Sequence, residues 1–171
     1  MENTKLIISR RLIMRKFEKG DLEKDLEFMI DPKFFYMSEI KDKQELVEKS
    51  LEYYKNKKNF NFWHIVKKGT NHSIGVIKAI FYENGVRLYV IINKSYRNRG
   101  YGKESLDAVI EHFFSFENVK EIYLKTPKDN KAFKTIIDKI HFKKYDEDIK
   151  YLYYKMDNLD YMKYFAIFGE I

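Results

Sequence analysis

Ile91-Ile92-Asn93-Lys94-Ser95-Tyr96-Arg97-Asn98-Arg99-Gly100-Tyr101-Gly102-Lys103 is the stretch on which the reading of this chain turns. A β-branched apolar run stops, an Arg-x-x-Gly-x-Gly turn follows, and an amphipathic helix starts at once. A strand that feeds a glycine turn opening a helix leaves several backbone N–H groups unpaired and pointing one way. The helix dipole adds positive potential at the same place. The turn is therefore suited to hold a phosphate or pyrophosphate.

Working outward, the residues before the turn read as three successive strands. Phe62, His64 and Val66 alternate with Trp63 and Ile65, and Lys68-Gly69-Thr70-Asn71 supplies a turn. Ser73 to Tyr82 is the next strand. Glu83-Asn84-Gly85 contains Asn-Gly, a hairpin signal compatible with a type I′ turn, and Val86 to Ile92 returns. After the turn, Leu106, Val109, Ile110, Phe113 and Phe114 form a wide helical stripe. Ile122 to Thr126 reads as a short strand. Asp129-Asn130 starts another helix, with Phe133, Ile136, Ile137 and Ile140 apolar, and Phe142 to Tyr145 with Ile149 to Met156 makes a closing hairpin.

Toward the N-terminus, Leu6 to Lys16 alternates as one strand. Gly20-Asp21 begins a helix carrying Leu22, Leu26, Met29 and Ile30, which Asp31-Pro32 ends. Asp42 with Glu45 opens a second helix, striped by Leu46, Val47, Leu51 and Tyr54. Between them runs a loop with Phe34, Phe35, Tyr36 and Met37. The order β-α-α-β-β-β-α-β-α-β-β predicts an α/β fold: a mixed, mostly antiparallel sheet of six to seven strands flanked by about four helices. Residues 1–171 read as a single domain, with 157–171 an apolar C-terminal extension. Tyr161, Tyr164, Phe165 and Phe168 in that extension have helical spacing. So many apolar residues in a tail predict packing on the domain or a homodimer contact.

Composition narrows the function classes. The 171 residues contain no cysteine, which excludes disulfides and thiolate chemistry and suits a reducing compartment. No run approaches the roughly 20 apolar residues that cross a bilayer, and Met1 to Lys5 lacks the layout of a secretory signal. A cytoplasmic location away from membranes is the expectation. The net charge of +7, from 33 basic and 26 acidic residues, is scattered among glutamates. That scatter points to a solvated surface plus a phosphorylated small ligand and away from nucleic acid. No pair of histidines or carboxylates has metal-ligand spacing, so no metal is expected.

The element order, with Arg97-x-x-Gly100-x-Gly102 between a fourth strand and a third helix, resembles the GNAT superfamily of acyl-CoA-dependent N-acetyltransferases. The likeness runs from about Ser9 to Met156. Arg10 to Arg15 followed by Gly20-Asp21-Leu22 resembles the opening of the branch that contains ribosomal-protein N-terminal acetyltransferases. Asn130 lies twelve residues before Phe142, and Lys139-Ile140-His141-Phe142 keeps the lysine and phenylalanine of the family's Asn…Lys-x-Gly-Phe segment.

The resemblance implies acetyl-CoA as cosubstrate. The backbone of Arg97, Asn98, Arg99, Gly100, Tyr101, Gly102 and Lys103 would cradle its pyrophosphate, and Arg97 and Arg99 would add charge. It implies that Ile91 and Ile92 expose a backbone edge to the pantetheine arm, with the Ile92 N–H as oxyanion donor, and that Asn130 touches the arm or caps its helix. The implied reaction is direct attack on the thioester by a primary amine, from a protein N-terminus or a small molecule. The alternative is a non-catalytic acyl-CoA-binding sensor. That alternative stands because Ile137 occupies the position where relatives carry a tyrosine acid, and Val86 to Ile92 has no carboxylate, with Arg87 in its place. The catalytic residues stay unassigned, Glu39 and Glu83 being the nearest carboxylates. His141 replaces the family's glycine, which predicts a left-handed backbone and a structural role.

Overall fold

The computed structural model describes residues 5–16, 45, 60–70 and 72–168. The two helices expected between Gly20 and Tyr54, the aromatic loop between them and Glu39 lie outside those residues, apart from Glu45, which is helical.

Among the described residues, eight strands form one sheet: β1 (Ile7–Ile8), β2 (Leu12–Lys16), β3 (Phe60–Lys67), β4 (Ser73–Tyr82), β5 (Gly85–Ile92), β6 (Glu121–Pro127), β7 (Lys143–Glu147) and β8 (Tyr151–Asp157). Their spatial order is β1-β2-β3-β4-β5-β6-β8-β7. Every pairing is antiparallel except β5 with β6. A parallel pair needs a crossover, and helix α1 (Tyr101–Phe116) supplies it. Helix α2 (Lys131–Ile140) connects β6 to β7, and α3 (Asn158–Phe168) follows β8.

Among the described residues the sheet has eight strands, not six to seven, because the N-terminal strand breaks into two. Ser9 N–H donates to Leu12 C=O at 3.0 Å, closing a turn that folds Ile7 and Ile8 back onto Met14 and Ile13. Alternation alone hides such a break, since both arms keep period two. Of the helices, three are found among the described residues, including the one expected in the tail.

The expected core stripe is found where the periodicity put it. Leu106, Val109, Ile110, Phe113 and Phe114 of α1 are buried against the sheet, with Trp63 and Phe81 meeting Phe113 edge-on at 6.0 and 5.7 Å. Ile137 and Ile140 of α2 complete that side. The tail helix docks by stacking Tyr161 on Phe114 at 5.0 Å, while Leu159, Met162 and Ile167 stay exposed.

The β4–β5 hairpin is present, but its turn is not type I′. Tyr82 pairs with Gly85, and neither Glu83, Asn84 nor Gly85 has positive φ. Gly85 serves a different need. A Cβ there would sit 2.1 Å from the carbonyl oxygen of Glu121, so only glycine lets β5 and β6 close at this end. Gly75, opposite Ile92, is equally constrained, its Cβ falling 2.2 Å from the Ile91 carbonyl. Gly85→Ala should therefore cost about 1–3 kcal/mol of unfolding free energy, the usual range for overpacking, measured by urea denaturation. Gly69→Ala, at φ +77 with nothing within 4 Å, should cost about 1 kcal/mol or less.

Candidate functional site

The parallel β5–β6 ladder covers only half of β5. Pairing runs from Gly85↔Glu121 to Leu88↔Leu124 and stops. Beyond it β5 stays paired with β4 to Ile92, and β6 stays paired with β8 to Pro127. The two strands thus part into a gap that opens toward the turn at 93–100.

Ladder alternation decides which backbone groups line this gap. Asn93 N–H donates to Ile74 C=O at 2.8 Å, which turns Ile91 and Tyr89 to β4 as well. Val90 and Ile92 consequently point toward β6. Of the two isoleucines expected at the edge, Ile92 faces the gap, while the backbone of Ile91 is turned to β4; Val90 joins Ile92. On β6, Lys128 N–H donates to Lys150 C=O at 3.0 Å, so Thr126 and Leu124 bond β8 and the backbone of Lys125 faces the gap.

At the open end, Lys94–Tyr96 forms one 3-10 turn and Arg97 runs extended. Asn98 and Gly100 then take left-handed conformations, φ 60 and φ 80. Gly100 is the N-cap of α1 and offers no side-chain oxygen to the first helical turn, leaving those N–H groups to an external acceptor. The missing Cβ of Gly102 has a different reason. A methyl there would meet Ile136 at 3.3 Å and Ile92 at 3.6 Å, so glycine lets α1 lie close to α2 and β5.

The cationic side chains around the turn are largely committed. Arg97 Nε donates to Ile92 C=O at 2.8 Å, tying the turn to the last strand residue. Lys103 Nζ bonds Asp107 at 2.6 Å and the Tyr164 hydroxyl at 2.9 Å. Burial raises the Asp107 carboxyl above its usual range, against the pull of Lys103. Arg99 lies 5.9 Å over the Tyr96 ring.

Beneath the turn lies a clamp that the sequence did not announce. Arg11 donates its backbone N–H and Nε to the two oxygens of Glu104, each at 2.6 Å, and Ser9 Oγ donates at 2.8 Å. The same guanidinium bonds the Arg99 carbonyl at 3.1 Å and covers Tyr101 at 4.6 Å. Residues some ninety positions apart thus hold the first turn of α1.

Asn130 caps α2, its Oδ1 accepting from Phe133 N–H at 3.2 Å. His141 has φ 64 and ends α2 in the left-handed conformation expected of it, with its N–H donating to Asp138 and Ile137 carbonyls. Glu83 is exposed at the hairpin tip, beyond the closed end of the gap. Thr126 was missed by sequence reasoning. It is buried beside the gap, and its Oγ1 has no hydrogen-bond partner. A hydroxyl at an even position of a buried strand was the available signal. Among the described residues there is no helix long and apolar enough to cross a membrane, and no group of three or more potential metal ligands.

A family model described as the acetyltransferase (GNAT) domain matches residues 11–143. No curated protein matches the sequence. Among solved structures, a GNAT-family acetyltransferase of Bacillus anthracis superposes with TM-score 0.78 at 20% identity, covering 91% of this chain and 99% of that one. A spermidine N-acetyltransferase of Vibrio cholerae, in complex with CoA and spermine, gives TM-score 0.75 at 16% identity, covering 89% and 98%. A Vibrio cholerae chain provisionally named a ribosomal-protein-serine acetyltransferase gives 0.72 at 16%, covering 92% and 99%.

Burial opposes ionisation of Glu104, but the hydrogen bonds from Arg11 and Ser9 outweigh it and hold the carboxyl below its ordinary value of 4.5. A depressed folded-state pKa adds stability above the unfolded value that is lost as pH falls through the folded one. Glu104→Gln should therefore be less stable than the parent at neutral pH. The difference should shrink steadily below pH 4.5, as read by denaturant melts across pH.

Proposed function

We propose, for a chain that belongs to the GNAT acetyltransferase family and is thereby an acetyl-CoA-dependent N-acetyltransferase, that the turn at 97–103 and the β5–β6 gap divide the donor between them. The gap carries this reading. It is a sheet opening lined by main-chain groups, and it leads directly to an uncapped helix N-terminus. The backbone of Arg97 through Lys103 holds the pyrophosphate, with dipole and N–H groups acting together.

The arm leaves that cradle and runs into the gap as a surrogate strand. Ile92, nearer the cradle, meets an arm amide. Val90, deeper, is placed for the thioester carbonyl, so the oxyanion donor moves from Ile92 to the Val90 N–H. Thr126 Oγ1 offers a buried hydroxyl to the same arm. The acceptor nitrogen forms a bond to the thioester carbon as the carbon–sulfur bond breaks. The ammonium loses a proton, and the departing thiolate takes one up. Asn130 shapes the α2 end of the gap as a cap.

The acceptor is a primary amine. Resemblance of the Arg10–Leu22 region to the ribosomal-protein branch supports a protein N-terminus, and a small amine fits the same chemistry. A single domain spanning 1–171, acting in the cytoplasm, is consistent with a cysteine-free chain. The exposed Leu159, Met162 and Ile167 on α3 support a homodimer contact through the tail. Light scattering at high concentration should then give twice the monomer mass, and a monomeric mass removes the contact.

At 100-fold excess over its Kd, acetyl-CoA should add about 2.7 kcal/mol and raise the melting temperature by several degrees. An unchanged melting temperature at millimolar ligand would sink the cradle assignment. Thr126→Val removes a hydroxyl that has no protein partner. The free protein should be as stable as the parent or slightly more so, while acetyl-CoA binds about 2- to 10-fold more weakly.

A further inference from the structure

Arg87 is the charged group to which acetyl transfer gives no task. It sits on β5 at the closed end of the gap, opposite Tyr123 and one residue before the last β5–β6 pair. Period two places it with Tyr89 on the sheet face away from α1 and α2, whereas Val86, Leu88 and Val90 face those helices. Its guanidinium is half-buried, lies 5.2 Å over the Tyr82 ring and has an Nε without a hydrogen-bond partner. Among the described residues no carboxylate pairs with it. A hydrogen bond with Tyr89 and the Tyr82 ring offset the cost of burying the cation, but no full negative charge among the described residues neutralises it.

The surroundings are aromatic. Tyr82, Tyr89, Tyr123, Tyr145 and Tyr153 all lie close enough for their phenols and the Arg87 charge to influence one another. The rings of Tyr123, Tyr145 and Tyr153 follow one another at 6.0 and 6.3 Å. Carboxylates on this side are engaged elsewhere. Glu121 bonds Tyr123 and Lys155, and Asp148 takes Tyr153 at 2.7 Å with the N–H groups of Lys150 and Tyr151. Lys125, the second cation flanking the gap, rides 3.8 Å over Tyr151.

We propose that the amine acceptor is a small molecule bearing a phosphate or carboxylate, which Arg87 binds while the amine reaches the thioester in the gap. This rests on the acetyl-transfer reading above. With α1 and α2 on one face, the acceptor enters from the other, where Arg87 lies at the closed end of the gap and Lys125 one residue past the last β5–β6 pair. A planar guanidinium bonds two oxygens of one anion, and the tyrosine rings lower the local dielectric around that pair. A polyamine would meet two like charges.

The test uses the full chain saturated with acetyl-CoA and matched acceptors: glucosamine 6-phosphate against glucosamine, phosphoethanolamine against ethanolamine, glycine against glycinamide. Spermidine and an acidic N-terminal peptide complete the set. Thiol release should favour the anionic member of at least one pair by about 10- to 100-fold in kcat/KM, the phosphate and carboxylate pairs telling the two anions apart. Arg87→Gln should erase that preference through the acceptor KM and leave the KM for acetyl-CoA unchanged, and Arg87→Lys should restore part of it. Preference for neutral amines, spermidine or the peptide overturns the proposal, as does a preference that survives in Arg87→Gln. If no acceptor turns over, calorimetry of inorganic phosphate with the CoA-saturated protein decides. Phosphate binding lost in Arg87→Gln supports the site, and no binding refutes it. Failure of acetyl-CoA itself to bind would instead overturn the donor assignment and is read separately by the melting shift.

Discussion

One strand with two neighbours at its start and one at its end organises this molecule. β5 is held against β6 over Gly85 to Leu88, and the absence of a Cβ at Gly85 is what permits that contact. Past Leu88 the ladder to β4 continues while the ladder to β6 does not. Backbone groups that a complete sheet would consume are left facing an opening. An unpaired main-chain edge inside a fold is costly unless something fills it. The filler that matches is an extended chain with amide groups, and the pantetheine arm of acetyl-CoA is one.

The other half of the arrangement keeps the opening aligned with the turn proposed as an anion cradle. Arg97 ties the turn back to Ile92, and Glu104 ties the first turn of α1 to Ser9 and Arg11 at the N-terminal hairpin. Gly102 sets how closely α1 lies against α2 and β5. These contacts hold the helix N-terminus over the end of β5 without placing a side chain in the cradle. Most cations nearby are spent on protein partners, so main-chain N–H groups and the helix dipole supply the anion-binding potential.

The two faces of the sheet differ in chemistry. The helical face is closed and apolar, and Thr126 is the residue there whose hydroxyl has no protein partner. The opposite face carries tyrosines and the guanidinium of Arg87, which pairs with no carboxylate among the described residues. The strand without a carboxylate, β5, and the helix carrying the buried Ile137, α2, both border the gap.

Periodicity and turn chemistry made most of the frame legible. The α1 stripe, the hairpin into β5, the crossover between β5 and β6, the asparagine cap of α2 and the left-handed His141 all follow from local rules, because each depends on residues a few positions apart. The glycines were read only in part. Gly100 serves the turn, but Gly85 and Gly102 answer to neighbours 36 and 34 residues away in sequence, at Glu121 and Ile136. The split of the first strand, the Arg11–Glu104 clamp, the choice of Val90 over Ile91 at the edge and the lack of a described carboxylate beside Arg87 were likewise invisible. Each is settled by which strand lies alongside and with what register. By itself the sequence determined an α/β chain with a phosphate-shaped turn. Tertiary structure decided which main-chain groups face the opening and which cation lacks a counter-ion, because hydrogen-bond direction and charge pairing depend on neighbours that only the folded sheet brings together.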